Sequence, residues 1–214
     1  VLPDGYLRSL KKHCEKRGML LIVDEAQTAI GRCGAMFGFE SHGIVPDILS
    51  LSKTLGNGIP LSAVVTSDAI AQKTSQSGFL FYTTHVNDPL PAAVGAKVLD
   101  IVVRDNLVEN AQKMGELFRS ELGRLQKKFK QIGDVRGRGL MIGIEIIIPE
   151  TKEADPKLAG KLSAIMLQNG LSANLIAVPQ FGGVFRIAPP ISITEKELRE
   201  GIAIIEKSFE EVCT

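Results

Sequence analysis

The sequence predicts an α/β protein in two parts. Short apolar runs alternate with longer crossovers over the first ~90 residues, the pattern of buried strands joined by helices. Two of those runs end abruptly on a charged residue, Asp24 and Lys53. After Gln131 the texture changes to turn-rich segments, strands and amphipathic helices of a separate, smaller α/β unit.

Taken in order, Asp4 to Arg17 has helical apolar spacing and closes on a basic turn and Gly18, a helix stop. Met19 to Val23 is a continuous apolar run, expected as a strand buried on both faces. It ends at Asp24-Glu25. Ile48 to Leu51 follows Pro46-Asp47 and ends at Ser52-Lys53. Leu61 to Val65 and Phe79 to Tyr82 are expected as two further strands. Pro91 to Asp105 reads as a helix. A longer helix follows, with Leu107, Ala111, Met114, Phe118, Leu122, Leu125 and Phe129 on one stripe. Val135 to Gly139 reads as turns leading into a strand over Leu140 to Ile148. A helix around Leu158 to Met166 and strands over Leu171 to Val178 and Val184 to Ala188 complete the second part. The last helix opens at Thr194 with Glu197 three residues on, a capping box. The expected division is 1–106 and 107–214.

Composition narrows the function classes. The chain has 214 residues, 44% hydrophobic and 23% charged, which is ordinary for a folded protein. A formal net charge of +1 gives no footprint for nucleic acid or an anionic membrane surface. No apolar run approaches a membrane span. Cys14, Cys33 and Cys213 fit no zinc spacing and read as small thiols in a reducing compartment. The chain opens on Val1-Leu2-Pro3-Asp4-Gly5 without a signal peptide, so a fragment or processed chain is expected, cytoplasmic, with mitochondria left open.

Asp24 and Lys53 carry the chemistry. In open parallel sheets ligands bind beyond the carboxyl ends of the strands. Alone, Asp24 reads equally as a turn residue or helix cap. Alone, Lys53 reads as a solvated loop lysine. Together they supply what pyridoxal phosphate (PLP) requires: a lysine to bond it and an acid to keep its ring nitrogen protonated. Burial in such a setting makes a lysine a neutral nucleophile. The glycines of Leu55-Gly56-Asn57-Gly58 let the backbone turn close to a ligand.

Four motifs then occur in order: Asp24-Glu25-Ala26-Gln27-Thr28, Gly31-Arg32, Pro46-Asp47-Ile48 and Ser52-Lys53-Thr54-Leu55-Gly56. Together they resemble the core signature of the class III aminotransferases. The resemblance runs over nearly the whole chain. It implies PLP fold type I, with this chain as the second half of the large α/β domain plus the small C-terminal α/β domain. Phe81-Tyr82-Thr83-Thr84-His85-Val86-Asn87-Asp88-Pro89-Leu90-Pro91-Ala92-Ala93 is most similar to the 2,2-dialkylglycine decarboxylase branch. So are Ile132 to Gly139 and Gly182 to Pro190.

The resemblance implies roles. Lys53 bonds the cofactor and shuttles a proton. Asp24 holds the pyridine nitrogen, Gln27 lies by the ring's 3′-oxygen, and Thr84 binds the phosphate of a neighbouring subunit, making a dimer or tetramer part of the site. Arg186 clamps the substrate carboxylate with its planar fork. Thr84, the Val86 carbonyl and Asp88 supply oxygen ligands to a potassium or sodium ion. Asp88 also fits an N-cap before Pro89. His85 receives no role.

The implied reaction is decarboxylation of a 2,2-dialkylglycine coupled to transamination of a keto acid. Plain class III transamination and a non-catalytic truncated paralogue are the alternatives. The family's first half supplies the phosphate loop, a stacking aromatic and further metal ligands. None is in this chain, so the polypeptide alone is expected to be inactive or nearly so unless a second chain carries that half.

Overall fold

A computed structural model describes residues 1–176 and 182–213. The chain divides into two compact units, Leu2–Val108 and Glu109–Thr214.

The first unit opens with helix α1 (Tyr6–Lys16) and strand β1 (Ile22–Asp24). A 3-10 turn (Gly38–His42) precedes β2 (Ile48–Leu51). A second 3-10 turn (Lys53–Leu55) leads to β3 (Ala63–Thr66), α2 (Asp68–Gln76) and α3 (Pro89–Arg104). The sheet order is β1-β2-β3, with β1 parallel to β2 and β2 antiparallel to β3. The register places Asp24 opposite Ser50.

Asp47 fastens this arrangement. Its carboxylate accepts the Leu21 N–H at 2.7 Å and the Lys11 ammonium at 2.7 and 2.8 Å. Its carbonyl accepts the Thr66 hydroxyl at 2.8 Å. One residue therefore ties α1, the start of β1 and the end of β3 together.

Two expectations fail here. The Met19–Val23 run is not buried on both faces: Met19, Leu20 and Ile22 are 56%, 53% and 63% exposed. Strand β1 is the sheet edge, and among the described residues no strand pairs with its outer side. Phe79 to Tyr82 forms no strand and is exposed. An apolar, β-prone run becomes a strand only where a ladder answers its N–H and C=O groups, and these residues join neither sheet.

The second unit contains most of α4 (Leu107–Lys128), then β4 (Ile132–Arg138), β5 (Met141–Ile146), α5 (Pro156–Gln168), β6 (Asn174–Ile176), β7 (Val184–Ile187) and α6 (Glu195–Cys213). The sheet order is β4-β5-β7-β6, every pair antiparallel. Ile142, Ile144, Ile146 and Phe185 form its buried face, while Phe118, Leu122, Leu162, Met166, Ile205 and Phe209 are the buried residues of the helices. The α6 capping box is present, with Glu197 accepting the Thr194 N–H at 2.8 Å. Val135 to Arg138 of the segment expected as turns belong instead to β4, and Gly139 is in the turn that follows. Gly133 and Gly137 of β4 are there for packing, since a Cβ would lie 2.7 Å from Ile147 Cγ2 and 2.2 Å from the Met141 carbonyl oxygen. Strand β6 ends at Ile176, and Val178 of the expected strand lies outside the described residues.

Candidate active site

Strands β1 and β2 run parallel, so Asp24 and the Ser52-Lys53 turn leave the sheet at the same end. Neighbouring strands stand ~4.8 Å apart, close enough for two side chains to meet one ring. Asp24 is exposed, and its carboxylate accepts the Ala26 N–H at 2.9 Å. That N–H and then the Ser50 hydroxyl hold the carboxyl below its ordinary range, against desolvation, with the Lys53 charge the smallest contribution.

Lys53 is exposed, not buried as the strand-end reading requires. Its distinguishing feature is the backbone. Its φ of 49° lies in the left-handed region that non-glycine residues avoid, a strain of roughly 1–3 kcal/mol that structures keep where the surroundings enforce it. The surroundings are tight. Gly56 N–H donates to the Lys53 carbonyl at 3.1 Å, and Ser52 Oγ to the Leu61 carbonyl at 3.2 Å. A Cβ on Gly56 would lie 1.9 Å from the Ile59 carbonyl oxygen. Helix α3 closes on the same turn at Gly95, where a Cβ would lie 2.5 Å from Leu61 Cδ2 and 3.6 Å from the Leu55 carbonyl oxygen.

The remaining residues fall into separate groups. Gln27 is half-buried in the turn that follows Asp24. Thr84, Val86 and Asp88 share one exposed turn before α3. Asp88 stands at the α3 N-cap position, but its side chain makes no cap bond. It accepts instead from His85 Nδ1 at 2.8 Å, giving His85 a partner that sequence reasoning did not assign. Among the described residues no group of three or more His, Cys, Asp or Glu side chains could hold a metal ion. Arg186 lies on β7 of the second unit. In the register it stands in one row with Arg136, Gly143 and Asn174. Arg136 is committed to Asp134 and Glu145, both at 2.7 Å.

Sequence reasoning passed over Glu25. It is 2% exposed and its carboxylate accepts hydrogen bonds from Thr28, Gly38 and Phe39. The available signal was period-two alternation: the residue after an outward Asp24 must point inward.

The donor set fits PLP. An ionised carboxylate and a primary amine stand on adjacent strand tips, matching the pyridine nitrogen and the carbonyl carbon of that molecule.

Comparison with known proteins agrees. The family model described as aminotransferase class-III matches residues 1–209. An uncharacterized aminotransferase of Schizosaccharomyces pombe is 53% identical over 209 residues, 97% of this chain and 47% of the relative. An alanine/serine racemase of Pyrococcus horikoshii is 36% identical over all of this chain and 44% of its own. The crystal structure of a Bacillus anthracis aminotransferase superposes with a TM-score of 0.93 at 28% identity, covering 99% of this chain and 49% of that one. The chain spans about half the length of the curated relatives it matches. It carries the α/β fold of the PLP fold type I transaminases, and it belongs to the class III aminotransferases.

Proposed function

We propose that the protein containing this chain decarboxylates a 2,2-dialkylglycine and transfers its amino group to a keto acid. The observation that carries the cofactor chemistry is the placement of Asp24 and Lys53 at the same end of adjacent parallel strands. The Phe81–Pro89 segment supports the decarboxylating branch. On this reading residues 1–106 belong to the cofactor-binding large domain and 107–214 form the small domain.

When bound, PLP supplies an electron-withdrawing ring that accepts the electron pair of the bond broken at the substrate carbon. Asp24 keeps the ring nitrogen protonated, which its own ionised state permits. Lys53 would hold the cofactor through its amino group, and that group would carry a proton to and from the reacting carbon. Gln27 faces the ring oxygen, and Thr84 donates its hydroxyl to the phosphate of a neighbouring subunit. The Arg186 guanidinium holds the substrate carboxylate by two parallel N–H donors. For an alkali-metal ion, Thr84, the Val86 carbonyl and Asp88 offer hard oxygen donors. His85 occupies one Asp88 oxygen and leaves the other for the cation.

The reaction balances: 2-aminoisobutyrate and pyruvate give acetone, CO2 and alanine. The test supplies carboxyl-labelled 2-aminoisobutyrate and pyruvate to the whole protein. Labelled CO2, acetone and alanine in equal amounts are expected. The second reading, transamination without decarboxylation, is favoured by the aminotransferases among the relatives. Alanine formed from an ω-amine with no labelled CO2 from 2-aminoisobutyrate would establish it and reject the first.

A further inference from the structure

Glu25 stands one residue beyond Asp24, and alternation sends the two carboxylates to opposite sides of the backbone. Asp24 is exposed; Glu25 is 2% exposed. A carboxylate placed there is costly unless its oxygens are answered. They are: Oε2 accepts from Thr28 Oγ1 at 2.5 Å and the Gly38 N–H at 2.8 Å, and Oε1 accepts from the Phe39 N–H at 2.7 Å. Gly38 closes the cradle. A Cβ there would press on both carboxylate oxygens at 3.2 Å and on Thr28 Cβ at 3.3 Å.

The backbone of Glu25 is held as firmly. Its N–H donates to the Ser50 carbonyl at 2.9 Å, one step past the β1–β2 ladder, and its carbonyl accepts the Ala29 N–H at 3.2 Å. The peptide plane joining Glu25 to Ala26 is thus fixed on the Glu25 side. That same plane carries the Ala26 N–H that holds Asp24.

We propose that Glu25 is a positioning residue: by clamping the Glu25–Ala26 peptide to the Gly38–Phe39 turn it sets the orientation of the Asp24 carboxylate toward the cofactor ring nitrogen. The inference rests on the cofactor role of Asp24 proposed above. Glutamine cannot replace glutamate. Its NH2 accepts nothing, so either the Phe39 N–H or the Gly38 N–H faces another donor.

The test follows the whole chain, 13C-labelled at its aspartate carboxyls and 15N-labelled at its amides, as wild type, Glu25→Gln and the milder Gly38→Ala. Gly38→Ala keeps every donor and only displaces the carboxylate, so it serves if Glu25→Gln does not fold. In either variant the Asp24 titration midpoint should move up toward the ordinary aspartate value. The Ala26 amide should exchange about tenfold faster, the factor expected for one lost charge-assisted hydrogen bond. Residues 109–213 should stay unchanged. Loss of Gly38 and Phe39 amide protection with wild-type Asp24 titration and Ala26 exchange would overturn the proposal, leaving Glu25 a loop anchor only. Borohydride labelling of Lys53 in the whole protein that contains this chain, with added PLP, separates the two readings. Coupling between Glu25 and Asp24 without label upholds the positioning and rejects the cofactor reading. Label without coupling rejects the positioning alone.

Discussion

Replacing Asp47 with alanine tests how the register that presents Asp24 is held. Leu21 is 6% exposed, and its N–H, bonded to Asp47 at 2.7 Å, would lose its acceptor, a cost of about 1–3 kcal/mol. Lys11, bound through both carboxylate oxygens, would lose a partner where the two side chains are 18% and 23% exposed. A hydrogen bond between charged groups adds about 1.5 kcal/mol or more, partly recovered when the ammonium returns to water. The sum is about 3 kcal/mol in the Leu2–Val108 unit, a fall in its melting midpoint of roughly 10 °C or more. Asp47→Asn keeps an acceptor for the Leu21 N–H and loses only the charge, so it should cost about 1 kcal/mol. The Leu21 N–H and then Lys11 hold the Asp47 carboxyl below the ordinary value of 3.8. Its stabilisation is therefore complete above that value and is lost as pH falls through the lower folded-state value. Thermal melts by circular dichroism at neutral and acid pH measure both effects. If both variants melt with the wild type, or if Asp47→Asn falls as far as Asp47→Ala, the reasoning is wrong.

Four further substitutions address the second unit. Gly115→Ala on α4 sets a helix-propensity gain of about 1 kcal/mol against a Cβ 2.1 Å from the Gly139 carbonyl oxygen. The clash should win, whereas Gly123→Ala on the same helix meets nothing within 4 Å and should stabilise in a denaturant melt. Glu206 is drawn down to about 2 by Arg124 and then Lys128. Its contribution is present above the unfolded value of 4.5 and lost as pH falls from there to about 2, so Glu206→Gln should flatten that part of the stability profile. Phe185 is fully buried in β7, and Phe185→Ala should cost roughly 3–5 kcal/mol in the same melts.

The legible parts of the fold were those whose physics is local. A charged residue ending an apolar run marked Asp24 and Lys53 as strand-tip residues. Period and caps marked α4 and the start of α6. The illegible parts depended on what packs where. Gly137 read as a turn residue because its reason, close approach to the Met141 carbonyl, lies on another strand. Apolar character promised burial for Met19–Val23 and a strand for Phe79–Tyr82, but both outcomes depend on neighbours. At the site, Lys53 was found from its motif, while its left-handed backbone could not be read from residue type. Glu25 was hidden behind Asp24 because two of its three side-chain partners, Gly38 and Phe39, stand 13 and 14 residues away.

The most direct measurement equilibrates the protein with PLP, reduces it with borohydride and maps the labelled peptides. Label confined to Lys53, and diminished in Asp24→Asn, is the predicted result. Label spread over Lys73, Lys97 and other surface lysines, or label at Lys53 indifferent to Asp24, would contradict the account.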